Sequence, residues 1–422
     1  MTNLPEEFIL QTRGIMGEER FNRYLGAFEE EAPVSIRVNP RHRETVPCVS
    51  SVADNTGTVP SMQVPWCPEG FYLSGRPQFT FDPLFHAGCY YVQEASSMFI
   101  THILRSLSSR LSFIISPLSI LDMCAAPGGK STAAISVLPE ESSMISNEPI
   151  PNRAQILLEN ITKWGYPNCT VTNNYPRDFR KAKAKFDIII CDVPCSGEGM
   201  FRKDPATIGE WSMQNVEKCW RLQREIVADA WECLNPGGIL IYSTCTFNTK
   251  ENEENVRWIL DEYDAEILNI PVDPSWNITS SLLEGFDAPV YRFIPGITKG
   301  EGLFVAVLQQ KGAAPRVSKE RHRLKNTGTV PSVLRCLTPD LPEGDYPRID
   351  IPYQEALKYL RGEALVLPSD TPKGIVTVTY KEVALGPAKN IGNRANNLYP
   401  KPWRIKTTHL PTEPVEIIKF KD

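Results

Sequence analysis

The strongest constraint on the fold is a regular alternation of helix-like and strand-like segments between residues 93 and 310. The segments run in the order helix 95–107, strand 119–123, helix 130–138, strand 143–147, helix 152–164, strand 186–191, helix 213–233 and strand 239–243. Strands joined through helices pair in parallel, because each helix returns the chain to the end of the sheet at which the previous strand began. We therefore predict an α/β domain over 93–310, with helices on both faces of a doubly wound sheet.

The flanking regions do not follow this alternation. Residues 1–92 are predicted to form a small unit from an amphipathic helix at 5–25, a short strand at 32–40 and a Pro-, Gly- and Ser-rich connector at 46–82. Residues 311–337 are basic and rich in turn-forming residues, which predicts a linker. Residues 338–422 carry β-prone runs such as GIVTVTY between turn residues, which predicts a small β-rich module.

Composition is that of a globular protein, with 41% hydrophobic and 23% charged residues. We expect a cytoplasmic protein without a membrane partner, because the chain has no apolar run of membrane-spanning length and its start, MTNLPEEFIL, does not resemble a secretory signal. The 11 cysteines include no C-x-x-C pair and the five histidines are scattered, so neither a disulfide framework nor a metal site is predicted.

Charge is distributed unevenly along the chain. The formal net charge is −5, yet residues 373–421 hold nine Lys or Arg against three Glu. The stretch RVSKERHRLK at 316–325 is also basic. A basic C-terminal region on an acidic body suits contact with a polyanion, although a solvated charged face would have the same composition.

The segment LDMCAAPGGKST at 121–132 follows a predicted strand and opens a predicted helix. Its small residues allow a ligand to approach the backbone, but it matches neither the P-loop nor the G-x-G-x-x-G motif. A nucleotide-like ligand other than ATP or NAD indicates S-adenosylmethionine. Glu148, at the tip of the next strand, stands where α/β folds bind ribose hydroxyls. Lys130 opposes the dipole of the helix that it begins, which predicts that its side chain has a partner.

Two cysteines follow strands of this sheet. Cys195 lies in CDVPCSGEGM and Cys245 in YSTCTF, so both are expected at one edge of the sheet and in one cleft. Addition of a thiolate to carbon 6 of a pyrimidine makes carbon 5 nucleophilic towards a methyl donor. Lys130 is expected to lower the pKa of a thiol, Asp192 to donate a proton at N3, and the second cysteine to assist elimination. The residues alone leave open which cysteine attacks.

These motifs identify a family resemblance. CAAPGGK, DVPCSGEG and STCTF resemble motifs of the NOL/NOP/Sun RNA cytosine-C5 methyltransferases, and SIRVNP, YYVQEASSM and NRANNLYPKPWRI extend the resemblance to the bacterial RsmF branch over most of the chain. The resemblance implies a Rossmann-like S-adenosylmethionine-dependent methyltransferase domain. It also implies a small N-terminal α+β subdomain that binds RNA and a C-terminal β-rich, PUA-like RNA-binding module.

The resemblance also assigns roles. It implies that Cys245 is the nucleophile, that Cys195 assists product release, and that Asp192 contacts the base and the amino-acid end of the cofactor. The implied contacts to the rest of the cofactor are Cys124, Ala125, Ala126, Pro127, Gly128, Gly129 and Lys130 to the methionine part, Glu148 to the ribose, and Arg153 nearby. Where the family often has an acid near the adenine this chain has Tyr175, so Asn174 and Asp178 are further candidates for that contact.

The predicted function is methylation of carbon 5 of a cytidine in RNA, most simply 16S rRNA or the small ribosomal subunit, by a monomer without a metal. A transfer RNA substrate remains an alternative. A DNA cytosine-C5 methyltransferase is another, because Pro194–Cys195 and the run Glu254–Asn255–Val256 resemble motifs of those enzymes. A non-catalytic RNA-binding assembly factor is the third. Cys245 and the loop CAAPGGK favour the RNA enzyme.

Overall fold

The computed structural model describes residues 4–42, 60–110, 117–312, 324, 332–338, 346–407 and 409–418. Apart from residue 324, the basic stretch 316–325 predicted to contact a polyanion lies outside the described residues, as does most of the predicted linker. No helix within the described ranges is both long and apolar enough to cross a membrane.

The N-terminal unit combines short helices with a four-stranded sheet of order β2-β3-β1-β4. Its elements are α1 (Glu6–Met16), α2 (Glu18–Gly26), β1 (Val34–Val38), β2 (Pro60–Val64), β3 (Cys67–Leu73), α3 (Pro83–His86) and β4 (Tyr90–Val92). The single helix predicted over 5–25 is wrong, because Gly17 adopts a left-handed φ of 73° and separates α1 from α2.

The connector predicted over 46–82 is also wrong where it covers β3. Pro68 made that segment look irregular, but only residues 70–73 of β3 pair with β1. The missing N–H of Pro68 therefore costs no hydrogen bond to β1.

The central unit contains an eight-stranded sheet, and the predicted doubly wound α/β fold is confirmed. Its helices are α4 (Phe99–Arg110), α5 (Gly129–Ile135), α6 (Pro151–Trp164), α7 (Pro176–Lys181), α8 (Ala206–Glu210), α9 (Met213–Trp231) and α10 (Glu253–Glu262). Its strands are β5 (Ser119–Asp122), β6 (Ser143–Asn147), β7 (Cys169–Thr172), β8 (Phe186–Asp192), β9 (Leu234–Thr244), β10 (Ala265–Ile267), β11 (Tyr291–Phe293) and β12 (Leu303–Gln310).

The strand order β10-β12-β9-β8-β5-β6-β7 places the functional loops together. Strands β5, β6, β7, β8 and β9 all run parallel to one another, whereas β12 runs antiparallel to β9. The uninterrupted apolar run of β8 is buried on both faces, which is typical of a parallel strand covered by helices. The connections change direction between β5 and β8, and a crevice opens there beyond the carboxyl ends of the strands.

The C-terminal unit forms a third sheet, of order β13-β14-β15-β16, and confirms the predicted β-rich module. Its elements are β13 (Arg348–Asp350), α11 (Tyr353–Arg361), β14 (Gly374–Tyr380), β15 (Val383–Asn390) and β16 (Ala395–Asn397). Helix α11 is amphipathic and buries Ala356, Leu357 and Leu360. The sheet and α11 therefore share one apolar core.

The N-terminal sheet lies between the other two units. Its apolar residues Ile36, Val38 and Tyr90 share a core with residues of α11 and β14. The residues that alternate with them point to the central unit, where Arg37 bonds to Thr132 and Asn39 donates to the carbonyl of Trp164. The C-terminal unit thus covers an apolar face of the N-terminal sheet rather than standing apart from it.

Candidate active site

The two cysteines predicted to share a cleft lie side by side. Their Sγ atoms are 3.1 Å apart, although Cys195 follows β8 and Cys245 follows β9. The backbone N–H of Cys245 also donates to Cys195 Sγ, at 3.3 Å. Because β8 and β9 are parallel neighbours, the loops that leave their carboxyl ends begin next to each other.

Two buried carboxylates hold these loops together. Glu198 accepts hydrogen bonds from the backbone N–H groups of Phe247 and Asn248, and from Trp211 Nε1 at 3.0 Å. Glu251 accepts from the backbone N–H of Ser196, also at 3.0 Å. The side chain of Asn248 lies between the two acids and donates to both. The loop of one cysteine is thereby bonded to the loop of the other in both directions.

A close contact between Gly199 and Gly302 also allows the loop of Cys195 to lie next to the loop of Cys245. A Cβ placed on Gly302 would lie 2.5 Å from the Cα of Gly199, and one on Gly199 would lie 2.7 Å from the Cα of Gly302. The backbone N–H of Gly199 donates to the carbonyl of Cys245 at 2.8 Å. Any side chain at either glycine would therefore displace the loop on which Cys245 lies.

The environment distinguishes the two thiols. The pKa of Cys195 is raised well above that of a free thiol, first by its hydrogen bond to Cys245 and second by burial. This favours a protonated Cys195 that donates to the sulfur of Cys245. Burial also raises the pKa of Glu251, to about 7, with Glu198 adding to the effect.

Lys130 has a partner, as its position at a helix start predicted, and that partner is an acid. Its Nζ lies 2.9 Å from Asp192 Oδ2, and Ser243 Oγ donates to the other oxygen of Asp192 at 2.7 Å. Burial disfavours the charge on Lys130, but the attraction of Asp192 outweighs it and raises the pKa of Lys130. Lys130 is therefore a cation, and its charge interacts favourably with an ionised Cys245.

The loop after β5 is built for close approach to a ligand. Gly128 has a left-handed φ of 115° directly before α5, a conformation that side chains rarely adopt. Ala126 is followed by a cis peptide bond to Pro127. The carbonyl of Ala126 accepts from Arg153 at 2.9 Å, and that of Pro127 from Asn160 at 2.8 Å. Two side chains of α6 therefore fix this loop through hydrogen bonds to its backbone carbonyls.

Other predicted residues of this loop have defined environments. The backbone N–H of Ala125 donates to the carbonyl of Asn147. Gly129 lies next to Gln93, a residue of the N-terminal unit. The side chain of Cys124 is half-buried, and this burial raises the pKa of its thiol. A protonated Cys124 agrees with a packing role better than with a reactive one.

Two carboxylates at the strand ends each keep one oxygen free of hydrogen bonds. Glu148 Oε1 accepts from the backbone of Ile150, whereas Oε2 is 3.5 Å from the guanidinium of Arg153. Asp122 Oδ2 accepts from Ser131. Within the described ranges neither Glu148 Oε2 nor Asp122 Oδ1 accepts a hydrogen bond, and both are buried. Burial raises the pKa of Asp122 to about 7, and the nearby Asp192 adds to this.

The predicted adenine contacts separate into buried and exposed residues. Asn174 is buried, and its backbone bonds to the side chain of Asn147 through both its N–H and its carbonyl. Tyr175 is 57% exposed and lies under the guanidinium of Arg177. Asp178 accepts from the backbone N–H of Tyr175, as a capping residue of α7. The geometry therefore occupies Asp178 with a helix cap and leaves the ring of Tyr175 accessible.

Sequence reasoning missed four residues at this site: Asp122, Glu198, Glu251 and Arg37. Arg37 is 1% exposed, stacks on Trp164 and reaches into the first turns of α5, where it donates to Thr132 Oγ1 at 2.6 Å. Asp122 and Glu198 lie inside the motifs LDMCAAPGGKST and CDVPCSGEGM. An acid directly after an apolar strand, or between two glycines, was the signal that was available for them.

No group of three or more His, Cys, Asp or Glu side chains in the described part of the chain is arranged to hold a metal ion. The cysteines that the structure describes are all free thiols.

Family models match three parts of the chain. They are described as 16S rRNA methyltransferase RsmB/F over residues 117–309, the N-terminal domain of 16S rRNA methyltransferase RsmF over 4–95, and the methyltransferase RsmF PUA domain over 346–405.

Curated relatives carry the name ribosomal RNA small subunit methyltransferase F. The protein from Pectobacterium atrosepticum is 33% identical over 334 residues, covering 76% of this chain and 66% of the relative. That from Escherichia fergusonii is 32% identical over 337 residues, covering 78% and 67%. The chain thus spans about two thirds of the length of these relatives.

Solved structures with this fold come from Pyrococcus horikoshii. A methyltransferase homolog protein has a TM-score of 0.58 at 27% identity, covering 73% of this chain and 100% of that one. The structure of NSun6 with SFG has a TM-score of 0.55, covering 72% of this chain and 98% of that one. At 20% identity, the second likeness shows the fold alone.

Proposed function

The chain belongs to the RsmB/F family of 16S rRNA methyltransferases, and from that premise we propose that it methylates carbon 5 of a cytidine in 16S rRNA with S-adenosylmethionine. The observation that carries the proposal is the pair of thiols 3.1 Å apart beside the Lys130–Asp192 ion pair. Two thiols at this distance, one placed to attack and one to assist, fit the chemistry of a pyrimidine ring, whose carbon 5 is a poor nucleophile until a thiolate adds at carbon 6.

The residues beyond β5 and β6 fit S-adenosylmethionine. Glu148 Oε2 is a buried acceptor that a ribose hydroxyl would satisfy, and Asp122 Oδ1 is one that an ammonium group would satisfy. The left-handed Gly128 and the small Ala125 and Ala126 leave room for the methionine part. When bound, this cofactor supplies an electrophilic methyl group.

Cys245 is the attacking thiolate in this proposal. Its sulfur lies 3.1 Å from that of Cys195 and near the charge of Lys130, an arrangement that suits a thiolate nucleophile. The sulfur adds to carbon 6 of the cytosine ring, forms the S–C6 bond, and moves the electrons of the C5–C6 double bond towards carbon 5.

The Lys130–Asp192 pair stabilises the charge that builds up on the ring. Both oxygens of Asp192 already accept hydrogen bonds, from Lys130 and from Ser243, so the proton of this pair lies on Lys130. We therefore assign the donor function at N3 to the ion pair as a unit, instead of to a protonated Asp192 alone.

Cys195 acts in the second half of the reaction. Its pKa is high while Cys245 is a neighbouring acceptor, but that hydrogen bond weakens once the sulfur of Cys245 carries the ring. After carbon 5 has taken the methyl group, Cys195 loses its thiol proton to water and accepts the proton from carbon 5. The C5–C6 double bond then re-forms, and the S–C6 bond breaks to release Cys245 as a thiolate.

RNA is the proposed partner of a monomeric protein that acts in the cytoplasm. The C-terminal unit that matches the RsmF PUA model exposes a group of basic residues, which are Lys373, Lys389, Arg394, Lys401 and Lys406. Basic side chains on one small unit suit phosphate contacts, whereas Tyr399 is 1% exposed and belongs to the core.

Two matched cysteine variants test the proposal on naked 16S rRNA, assembled small subunits, transfer RNA and DNA. We expect Cys245→Ala to abolish methylation, and Cys195→Ala to accumulate a covalent complex that survives a denaturing gel. Cys233→Ala, at a fully buried thiol outside the cleft, is the control and should retain activity. Bisulfite sequencing of the product locates the methylated cytosine.

Each alternative gives a different result. An adduct that forms only in Cys245→Ala would make Cys195 the nucleophile, as in the DNA enzymes. Methylation of transfer RNA alone would keep the chemistry and change the substrate. Absence of methylation on all four substrates, in a protein that still binds RNA, would favour the non-catalytic factor.

A further inference from the structure

A cavity of about 200 Å³ lies where the three units of the molecule meet. It is bounded by α3 and β4 of the N-terminal unit and by the last two turns of α6. The C-terminal unit reaches the same place, because the ring of Trp403 lies 5.3 Å from Nζ of Lys163, a residue that lines the cavity. The cavity is separate from the thiol cleft, behind the loop after β5.

Strand β4 turns an unpaired edge towards this cavity. In the described sheet β4 pairs with β1 on one side only. Residue 93 donates to the carbonyl of Ser35, and Asn39 to that of Cys89, so the bonded positions on β4 alternate as 89, 91 and 93. The backbone N–H and carbonyl groups of Tyr90 and Val92 therefore point away from β1, into the space in front of the edge.

The walls of the cavity are aromatic. Phe85, Tyr91 and Trp164 line it, and the last two are in edge-to-face contact at 6.3 Å between ring centres. Flat apolar walls of this kind suit a planar ring, and a cavity of about 200 Å³ is smaller than the 300–1,000 Å³ common for drug-sized ligands. The space therefore suits one ring system.

The rim offers hydrogen-bonding groups to the edge of such a ring. Asn160 lines the cavity and is half-buried, whereas the carboxylate of the neighbouring Glu159 is occupied by its ion pair with Lys163 at 2.5 Å. Together with the outward-facing backbone groups of Tyr90 and Val92, the amide of Asn160 presents donors and acceptors beside aromatic faces. Proteins recognise unpaired bases of RNA by the same combination of stacking and edge hydrogen bonds.

We propose that this cavity binds one unpaired nucleobase of the substrate RNA, at a nucleotide other than the one that is methylated. The proposal rests on the proposed function, because it takes RNA as the substrate. It adds a second contact point, formed by the central and N-terminal units beside the basic C-terminal unit.

The cavity also has a direct connection to the cofactor loop. Asn160 donates to Tyr91 Oη at 3.3 Å on the cavity side and to the carbonyl of Pro127 at 2.8 Å on the loop side. A base that contacts Asn160 therefore acts on a side chain that holds the loop after β5.

The first experiment fills the cavity. Glu159→Trp places an indole at the rim, and Glu159→Ala is the matched control that removes the same ion pair but leaves the space open. We expect Glu159→Trp to raise the Kd and KM for 16S rRNA by about 5- to 100-fold, the range set by stacking of one base. Glu159→Ala should stay within about threefold of the wild type, as expected for loss of a partly exposed ion pair. The Kd for S-adenosylmethionine without RNA and the thermal melt should match between the two variants.

The second experiment uses the wild-type chain and needs no variant to fold. RNA substituted with 4-thiouridine is irradiated on the protein, and the cross-linked peptides are identified by mass spectrometry. Cross-links to Phe85, Tyr91 or Trp164 are the expected result. Cross-links confined to the thiol cleft and the C-terminal unit would overturn the proposal.

Two further outcomes also overturn it. RNA affinity that is equal in Glu159→Trp and Glu159→Ala would show that no base enters the cavity. Weaker binding of Glu159→Trp to the assembled subunit, with unchanged binding to naked 16S rRNA, would indicate that the edge of β4 pairs with a protein strand. Failure of the proposed function is distinguishable, because the wild-type chain would then methylate no RNA at all.

Discussion

The buried carboxylates on the two sides of the active-site crevice differ in how many of their oxygens accept hydrogen bonds. On the thiol side, Glu198 and Glu251 accept hydrogen bonds at every oxygen, from backbone and side-chain donors of the loops around Cys195 and Cys245. On the cofactor side, Asp122 and Glu148 each keep one buried oxygen that accepts no hydrogen bond within the described ranges. Both sides lie at the carboxyl ends of the same parallel strands.

The two sides therefore differ in whether their hydrogen bonds are complete before a ligand binds. The thiol side is complete without a ligand, so its hydrogen bonds contribute to folding and fix the distance between the sulfurs. The cofactor side leaves buried acceptors without a hydrogen bond, which costs stability in the free protein but offers them to the donors of a ligand. Substitutions on the two sides should therefore separate loss of stability from loss of cofactor affinity.

The largest effect is expected for Glu198→Ala, on the thiol side. The substitution leaves Trp211 Nε1 and the backbone N–H groups of Phe247 and Asn248 buried without their acceptor. An unpaired buried donor costs about 1–3 kcal/mol, so we expect the free energy of unfolding to fall by more than about 3 kcal/mol. Urea denaturation measures this fall, and methylation by the folded fraction should be lost with it.

Glu251→Ala and the conservative Glu198→Gln are the comparisons for this prediction. Glu251 also accepts several buried hydrogen bonds, including those from Ser196 and Gln223. Glu251→Ala should therefore lower the free energy of unfolding about as much as Glu198→Ala. Glu198→Gln keeps one acceptor and should lose less stability than Glu198→Ala. A Glu198→Ala variant with wild-type stability would remove the distinction between the two sides.

An intermediate effect, on affinity instead of stability, is expected for Glu148→Gln on the cofactor side. The glutamine can keep the hydrogen bond from Ile150, but its amide group cannot accept a ribose hydroxyl at the position of Oε2. A hydrogen bond to a charged group contributes about 1.5–3 kcal/mol, so the Kd for S-adenosylmethionine should rise about 10- to 100-fold. Isothermal titration calorimetry measures the Kd, and the free energy of unfolding without cofactor should change by less than about 1 kcal/mol.

A glutamine variant that binds the cofactor as tightly as the wild type would assign the ribose to another residue. In that case Arg153 is the next candidate to examine, because its guanidinium is 3.5 Å from Glu148 Oε2 and 49% exposed. Arg153→Lys would then be expected to weaken binding while Glu148→Gln does not.

The sequence predicted the parts of this site that depend on strand position. Apolar runs located β5, β6, β8 and β9, and the rule that parallel strands present their carboxyl ends at one edge brought Cys195, Cys245 and Glu148 together. The unfavourable place of Lys130 at a helix start predicted a partner for it, and the structure shows that this partner is Asp192. Each of these inferences uses local pattern and a general property of α/β sheets.

The parts that the sequence did not predict depend on contacts between distant segments. Arg37 interrupts an apolar strand and would be assigned to a solvated face, yet it is buried against α5, 95 residues away along the chain at its contact with Thr132. Glu198 and Glu251 bond mainly to backbone N–H groups and amide side chains of another loop, which have no sequence signature. The sequence did not predict β3 because Pro68 lies within it. The pairing of β3 with β1 begins only at residue 70, so Pro68 does not disturb it.

The smallest effect is expected for Asp122→Asn, and its dependence on pH is the diagnostic. Burial raises the folded-state pKa of Asp122 to about 7, against about 3.9 for an unperturbed aspartate. The folded protein therefore binds more protons than the unfolded chain between these values, and the wild type loses stability as the pH rises from about 4 to about 7. Asparagine cannot ionise and does not share this loss. It places an amide N–H₂ at a buried position without an acceptor, which limits the gain.

We expect the Tm of Asp122→Asn, relative to that of the wild type, to rise between pH 5 and pH 8, and to exceed it at pH 8 by about 2–4 °C, which corresponds to about 1 kcal/mol. Differential scanning calorimetry at both pH values measures the gap, and Asp82 and Glu301, whose pKa values are also raised to about 7, contribute equally to both proteins. A gap of the same size at pH 5 and pH 8 would mean that the charge of Asp122 is already compensated in the free protein. The cofactor side would then be as complete without its ligand as the thiol side.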